Sequence, residues 1–301
     1  MKARLSCFVL TALLWGAESL AAQLSCSTTV PVIAFAGKRT GTLTVSDFRA
    51  TTKGYEIWIR AIDPPPPARR ILFVLDRSAS MTRPDMLHLA NQALGDALSA
   101  IPADDMVAFL MFAGQYTKQT DFMNLESLKK RLPEILTWND NKSKGTPLWD
   151  NMEHALQILS PHKPGDVIFV ISDGNNNSAK LSLEEVQSEL VRAGVTVLAF
   201  AIADPYAAGP EERVGPTFLG AFAKATGGVA SQMQEGSIRP GQMILQLEQQ
   251  YNLKLEVTPT RGSTKPAQKI QKWQLNLKSP ENGRNISLSY PSSLYPCAAT
   301  P

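Results

Sequence analysis

Four runs of strand length in this chain are almost wholly apolar: Ile71 to Leu75, Met106 to Phe112, Val167 to Ser172 and Thr196 to Ala201. Strands of this kind are buried on both faces, which is the condition of a parallel sheet covered by helices rather than of a half-solvated antiparallel one. The intervening segments supply the helices. Leu87, Leu94, Leu98 and Ile101, with Ala90 and Ala97 between them, share one face from about Pro84. Leu148, Met152, Ala155, Leu156 and Leu159 do the same behind Thr146, and Ser182 with Glu185 makes a capping box ahead of Leu183, Val186 and Leu190. A fifth strand is expected over Gly228 to Gln232. Alternating strands and helices imply right-handed crossovers, so the fold class is α/β, a doubly wound and mostly parallel sheet with helices on both faces.

The first run ends in Asp76-Arg77-Ser78-Ala79-Ser80, which crowds oxygen atoms at the carboxyl end of a buried strand. In open α/β sheets, sites form at that end. Hydroxyls and carboxylates with no Cys or His nearby make a hard donor set, suited to octahedral Mg²⁺ or Mn²⁺ rather than to zinc. Two later segments carry the same chemistry: Gly145-Thr146-Pro147-Leu148-Trp149-Asp150, and Val167 to Gly174, which delivers Asp173 at the end of another apolar strand. Each piece also has a plainer reading. Ser78 and Ser80 could be loop and cap residues, Thr146-Pro147 an N-cap and first helical residue, and Asp173-Gly174 a turn.

Taken in order, the three segments resemble the von Willebrand factor A family, whose metal-ion-dependent adhesion site combines a D-x-S-x-S turn with a Thr and an Asp from two later loops. The resemblance runs from about Arg70 to Tyr251 and includes Ala225-Thr226-Gly227-Gly228 late in the domain. It implies a Rossmann-like A domain in which Asp76, Ser78, Ser80, Thr146 and Asp173 surround one Mg²⁺ or Mn²⁺, some directly and some through water. It also implies a protein ligand whose acidic side chain completes the metal shell. Two departures stand out. Ala79 replaces the commonest Gly of the turn, and Asn175-Asn176-Asn177 follows Asp173-Gly174 where related loops often carry more acid.

Lys2 and Arg4 precede an apolar run from Cys7 to Trp15, and Ser19-Leu20-Ala21 ends in small residues, so residues 1–21 read as a signal peptide. A lipoprotein signal ending at Cys26 is disfavoured by Gln23. The signal peptide places the mature chain outside the cytoplasm, secreted or in the periplasm and envelope, and no other apolar stretch approaches the length of a transmembrane segment. Cys26 and Cys297 remain after cleavage, in a compartment that permits disulfides, and are expected to pair and clasp the two chain ends, the alternative being unpaired or intermolecular thiols.

Pro64 to Pro67 cannot sit inside a sheet and marks the main boundary. The expected organisation is an N-terminal β segment with its proline linker over 22–66, an A domain over 67–251 and a C-terminal β segment over 252–301. Thr29 to Phe35 and Gly54 to Ile62 are strand-like, with Leu43 to Phe48 between them. Leu253 to Val257, Trp273 to Leu277 and Ile286 to Tyr290 alternate as half-buried antiparallel strands do. Neither terminal set suffices to bury a face alone. Residues 27–63 and 252–295 are therefore expected to form one smaller β-rich domain into which the A domain is inserted, with Tyr55, Ile57, Trp273, Leu275 and Leu288 in its core. This terminal pattern is similar to exported A-domain proteins of the kind described in Acidobacteria.

The formal charge is only +3, and the clusters Arg69-Arg70 and Lys129-Lys130-Arg131 are not interleaved with aromatics, which argues against a nucleic-acid partner. His88, His154 and His162 fall in no catalytic motif, and no G-x-S-x-G or H-E-x-x-H pattern occurs. The expectation is a non-enzymatic, cation-dependent adhesion or protein-binding module. Its rival is a secreted metal-dependent hydrolase, which would need a base beside the ion.

Overall fold

The computed structural model describes residues 25–35, 43–138, 145–202, 210–260, 267–278 and 286–297. The expected signal peptide lies outside them. In chain order the elements are β1 (Cys26–Phe35), β2 (Phe48–Thr52), β3 (Tyr55–Asp63), β4 (Arg70–Asp76), α1 (Pro84–Ser99), β5 (Met106–Ala113), β6 (Tyr116–Gln119), α2 (Leu125–Thr137), α3 (Leu148–Ile158), β7 (Val167–Ser172), α4 (Leu183–Arg192), β8 (Thr196–Ala201), α5 (Pro210–Thr226), β9 (Ala230–Gln232), α6 (Pro240–Gln246), β10 (Gln250–Pro259), β11 (Trp273–Leu277) and β12 (Ser287–Ser289).

The central sheet has the order β6-β5-β4-β7-β8-β9, parallel except for the antiparallel edge strand β6. Period-two alternation splits each buried strand between two cores. Ile71, Phe73 and Leu75 face α1, α2 and α6, where Phe73 stacks between Phe109 and Phe169 at 5.5 and 5.3 Å. Leu72 and Val74 face α3, α4 and α5. Helices thus cover both faces, as the unbroken apolar strands require.

On α1 the buried residues are Met86, Ala90, Ala93, Leu94 and Ala97. Leu87 was expected on that face and is only half-buried, because Met86 lies one residue, about 100°, round the helix and takes the core position. The capping box at Ser182 forms as read, with the Glu185 N–H donating to the Ser182 hydroxyl. The strand expected from Gly228 begins at Ala230, since the Gly228 N–H bonds back to Ala223 O at 2.9 Å and prolongs the end of α5.

Both chain ends contribute to a four-stranded antiparallel sheet, β12-β1-β10-β3, with Cys26 opposite Val257 and Ile33 opposite Gln250. A second pair, β11-β2, lies against it, and the two enclose Val30, Val32, Phe48, Leu253, Leu255, Trp273 and Leu275. Tyr55, Ile57 and Leu288 pack half-buried at the margin of that core. The stretch before β2 forms a short 3-10 turn, Val45–Asp47, closed by Thr44 and Asp47. Cys26 and Cys297 are disulfide-bonded, with their Cα atoms 5.2 Å apart.

Candidate metal centre

β4 is flanked by β5 on one side and β7 on the other. Connections that leave a strand in opposite directions open a crevice at its carboxyl end. Asp76 closes β4 and Asp173 follows β7, so two carboxylates enter the crevice from hydrogen-bonded neighbours. They are 1% and 2% exposed.

The turn after β4 folds around its own aspartate. Asp76 Oδ1 accepts the Ser78 N–H at 2.8 Å, and Oδ2 accepts the Ser172 hydroxyl at 2.6 Å. Short acidic side chains close turns in this way. The Ser78 and Ser80 hydroxyls are 3.2 Å apart, and Ser80 donates to Asp173 Oδ2 at 2.5 Å. Four of the five expected ligands thus form one connected set of oxygens.

Thr146 is 4% exposed and reaches the same cavity as Ser80, a space of about 440 Å³ also lined by the three asparagines, Val214 and Phe218. Its N–H donates to Asn177 Oδ1 at 2.7 Å, and its carbonyl accepts the Asn177 N–H at 3.2 Å. Pro147 is the N-cap of α3, with φ −83° and ψ 63°, so the reading of Thr146 as N-cap and Pro147 as first helical residue is not met. The Thr146 side chain is left out of helix capping.

The asparagine run, which in sequence looked only like a loss of acid, braces the site. Asn175 donates from its N–H to Asp173 Oδ1 at 3.0 Å and from its side-chain amide to Oδ2 at 3.1 Å. Asn176 Oδ1 accepts the Trp149 N–H at 3.3 Å, and Asn177 clamps Thr146. Ser172 was also missed. It holds Asp76 while accepting the Gly174 N–H at 2.9 Å, and its one sequence signal is a fully buried hydroxyl at the end of an otherwise apolar strand.

A close backbone contact presses α5 onto this loop. Gly174 has φ +80°, and a Cβ there would lie 2.2 Å from Gly215 O; a Cβ on Gly215 would lie 2.0 Å from Asp173 O. Only glycine on both sides permits that approach.

Burial, and then the charge of Asp173, push the Asp76 carboxyl up to about 7. Arg77 is equally buried and is pushed down to about 10 by burial, with its guanidinium donating to Asn91 Oδ1 at 3.0 Å. Two buried carboxylates this close disfavour joint ionisation, and a cation held among them would stabilise both. The 3.2 Å between the Ser78 and Ser80 hydroxyls is close to the edge, about 3.0 Å, of an octahedron with ligands at about 2.1 Å, as Mg²⁺ requires, and Asp173 is hydrogen-bonded to the same Ser80 oxygen. Among the described residues no group of three or more His, Cys, Asp or Glu that could hold a metal converges; the oxygens gathered here come from two carboxylates and three hydroxyl residues, a hard donor set. The residues fit a Mg²⁺-type ion.

A doubly wound α/β domain with an oxygen-lined crevice at its switch point defines the class of protein. Residues 71–217 match the family model of the von Willebrand factor type A domain, and the chain carries a domain of that family. Solved structures similar to it include the conserved hypothetical protein BatB from Bacteroides thetaiotaomicron, at 19% identity and a TM-score of 0.47 over 60% of this chain and 96% of that one. An aerotolerance-related membrane protein from Bacteroides fragilis matches at 17% identity and a TM-score of 0.44, over 55% of this chain and 92% of that one. A von Willebrand factor type A protein from Catenulispora acidiphila matches at 11% identity and a TM-score of 0.46, over 86% and 75%. No curated protein matches the chain. No helix among the described residues is long and apolar enough to cross a membrane.

Proposed function

We propose that the chain is a divalent-cation-dependent protein-binding module that acts outside the cytoplasm. The observation that carries this reading is the connected set Asp76, Ser78, Ser80 and Asp173, which meets at Ser80 a cavity that Thr146 also lines and that has room for a partner's side chain. Ser78, Ser80, Thr146 and the two aspartates would hold Mg²⁺ or Mn²⁺. The ion would supply an open, Lewis-acidic position for an acidic side chain of the bound protein. The asparagine-lined wall adds no further negative charge, which favours the approach of a carboxylate.

Calorimetric titration with Mg²⁺ tests the site. Wild type is expected to bind one ion, while Asp76→Ala loses at least tenfold in affinity and keeps its circular dichroism. Unchanged affinity in that variant overturns the assignment. A partner captured from envelope or culture fractions in Mg²⁺ should then be released by chelator. Metal-dependent turnover of a substrate by the purified protein would instead favour a hydrolase.

A further inference from the structure

Charge is segregated along this chain. Residues 252–301 carry seven Lys or Arg against two Asp or Glu, and residues 22–66 carry five against three, whereas residues 67–251 carry sixteen against twenty-one. The terminal β unit is net positive and the A domain net negative. A cleft of about 820 Å³ opens in the positive unit, where β11 and β12 meet the carboxyl end of α5. Lys53, Lys224 and Lys272 lie around it, and no acidic residue lines it. All three lysines are exposed, and none forms an ion pair among the described residues, whereas Lys118, Lys129, Lys254 and Lys269 each lie within 3.1 Å of a carboxylate.

The walls of the cleft are fixed without any ligand. Tyr290 packs edge-on against Trp273 with ring centroids 4.9 Å apart, and Trp273 Nε1 donates to Pro291 O at 2.7 Å. The Thr52 hydroxyl donates to Lys272 O at 2.7 Å, and the Ser289 hydroxyl to Gly228 O at 2.9 Å, which ties the β unit to the A domain. Between the lysines the lining joins the amides and hydroxyls of Gln271, Gln274, Thr51 and Ser292 to the apolar Leu288 and the rings of Trp273 and Tyr290.

We propose that this cleft binds an acidic polysaccharide. The lysines meet its carboxylates, and the amides and hydroxyls meet its sugar hydroxyls. A concave lining that sets amides and hydroxyls beside Trp273, Leu288 and Tyr290 suits a chain of sugar rings, which carry both hydroxyls and apolar C–H faces, better than a flat membrane surface. The site is separate from the metal centre. Val214 lines the metal cavity and Lys224 the cleft, ten residues apart on α5 and hence about 15 Å along its axis. One rigid helix therefore spans from the metal cavity to the cleft, so that the chain could hold a protein at one end and an anionic glycan at the other.

The test is a titration of the full chain with an oligogalacturonate in excess chelator, so that no bound ion can capture the uronate carboxylates. Saturable binding that weakens with salt is expected. It should fall at least tenfold in the triple variant Lys53→Gln, Lys224→Gln, Lys272→Gln, and stay within twofold of wild type in the charge-matched variant Lys129→Gln, Lys130→Gln, Lys180→Gln. No binding, or equal losses in both variants, overturns the proposal. So does equal affinity for poly-glutamate or single-stranded DNA of matched charge. Because the metal centre is silenced throughout, either result leaves the cation-dependent reading untouched.

Discussion

Asp76 is buried between its own turn and Ser172, and its carboxyl is raised to about 7 chiefly by that burial. A raised carboxyl contributes stability that is fully present below its unfolded value of about 4 and is lost as pH rises through about 7. In excess chelator, the stability of wild type relative to Asp76→Asn is therefore expected to fall between pH 5 and pH 7.5, by up to about 1.4 kcal/mol per unit. Thermal denaturation across that range checks it, and a flat difference would show that Asp76 is not strained by ionisation. The five candidate ligands were legible one by one, because Asp, Ser and Thr at the ends of apolar strands are conspicuous. Ser172 and Asn177 were not, since their roles depend on which strand and which loop lie beside them.

Among the elements, α5 carries the largest share of what the sequence concealed. The helix itself was not expected from the sequence, and the contact of Gly215 with Asp173 is a meeting of backbones 42 residues apart that leaves no pattern. Gly215→Ala should displace the helix or the metal loop, costing about 1–3 kcal/mol in urea denaturation and at least tenfold in Mg²⁺ affinity. Gly220→Ala, on the same helix with nothing within 4 Å of its new Cβ, should be neutral or stabilising by up to about 1 kcal/mol. Equal effects of the two substitutions would remove the close approach as the cause. The edge strand β6 and the strand β2 were also not foreseen. Both are short and poor in alternation, and they become strands only because β5 and β11 offer them partners.

At the scale of the molecule, β1 and β10 pair across the whole length of the A domain, and the Cys26–Cys297 bond, between residues 271 apart, encloses that pairing in a longer loop. A crosslink over so long a loop restricts the unfolded chain, so Cys26→Ser with Cys297→Ser is expected to cost about 2–4 kcal/mol. The loss should fall on the terminal unit: amide exchange in β1 and β10 should rise well before exchange in β4 and β7. Uniform acceleration across both sheets would show instead that the two parts unfold as one.

Residue order alone determined the parallel sheet, the helices on both its faces, the ligand letters at two strand ends and the strand character of both termini. These follow from local periodicity and from the cost of burying polar groups, which any window of the chain displays. Contacts between distant segments were decided only by the tertiary structure. It set Asp76 beside Ser172 through the register of β4 and β7, turned three asparagines into braces, brought Gly215 against Asp173, and gathered Lys53, Lys224 and Lys272 round one cleft. Such pairings depend on strand order and chain crossing rather than on composition, so no local stretch of sequence contains them.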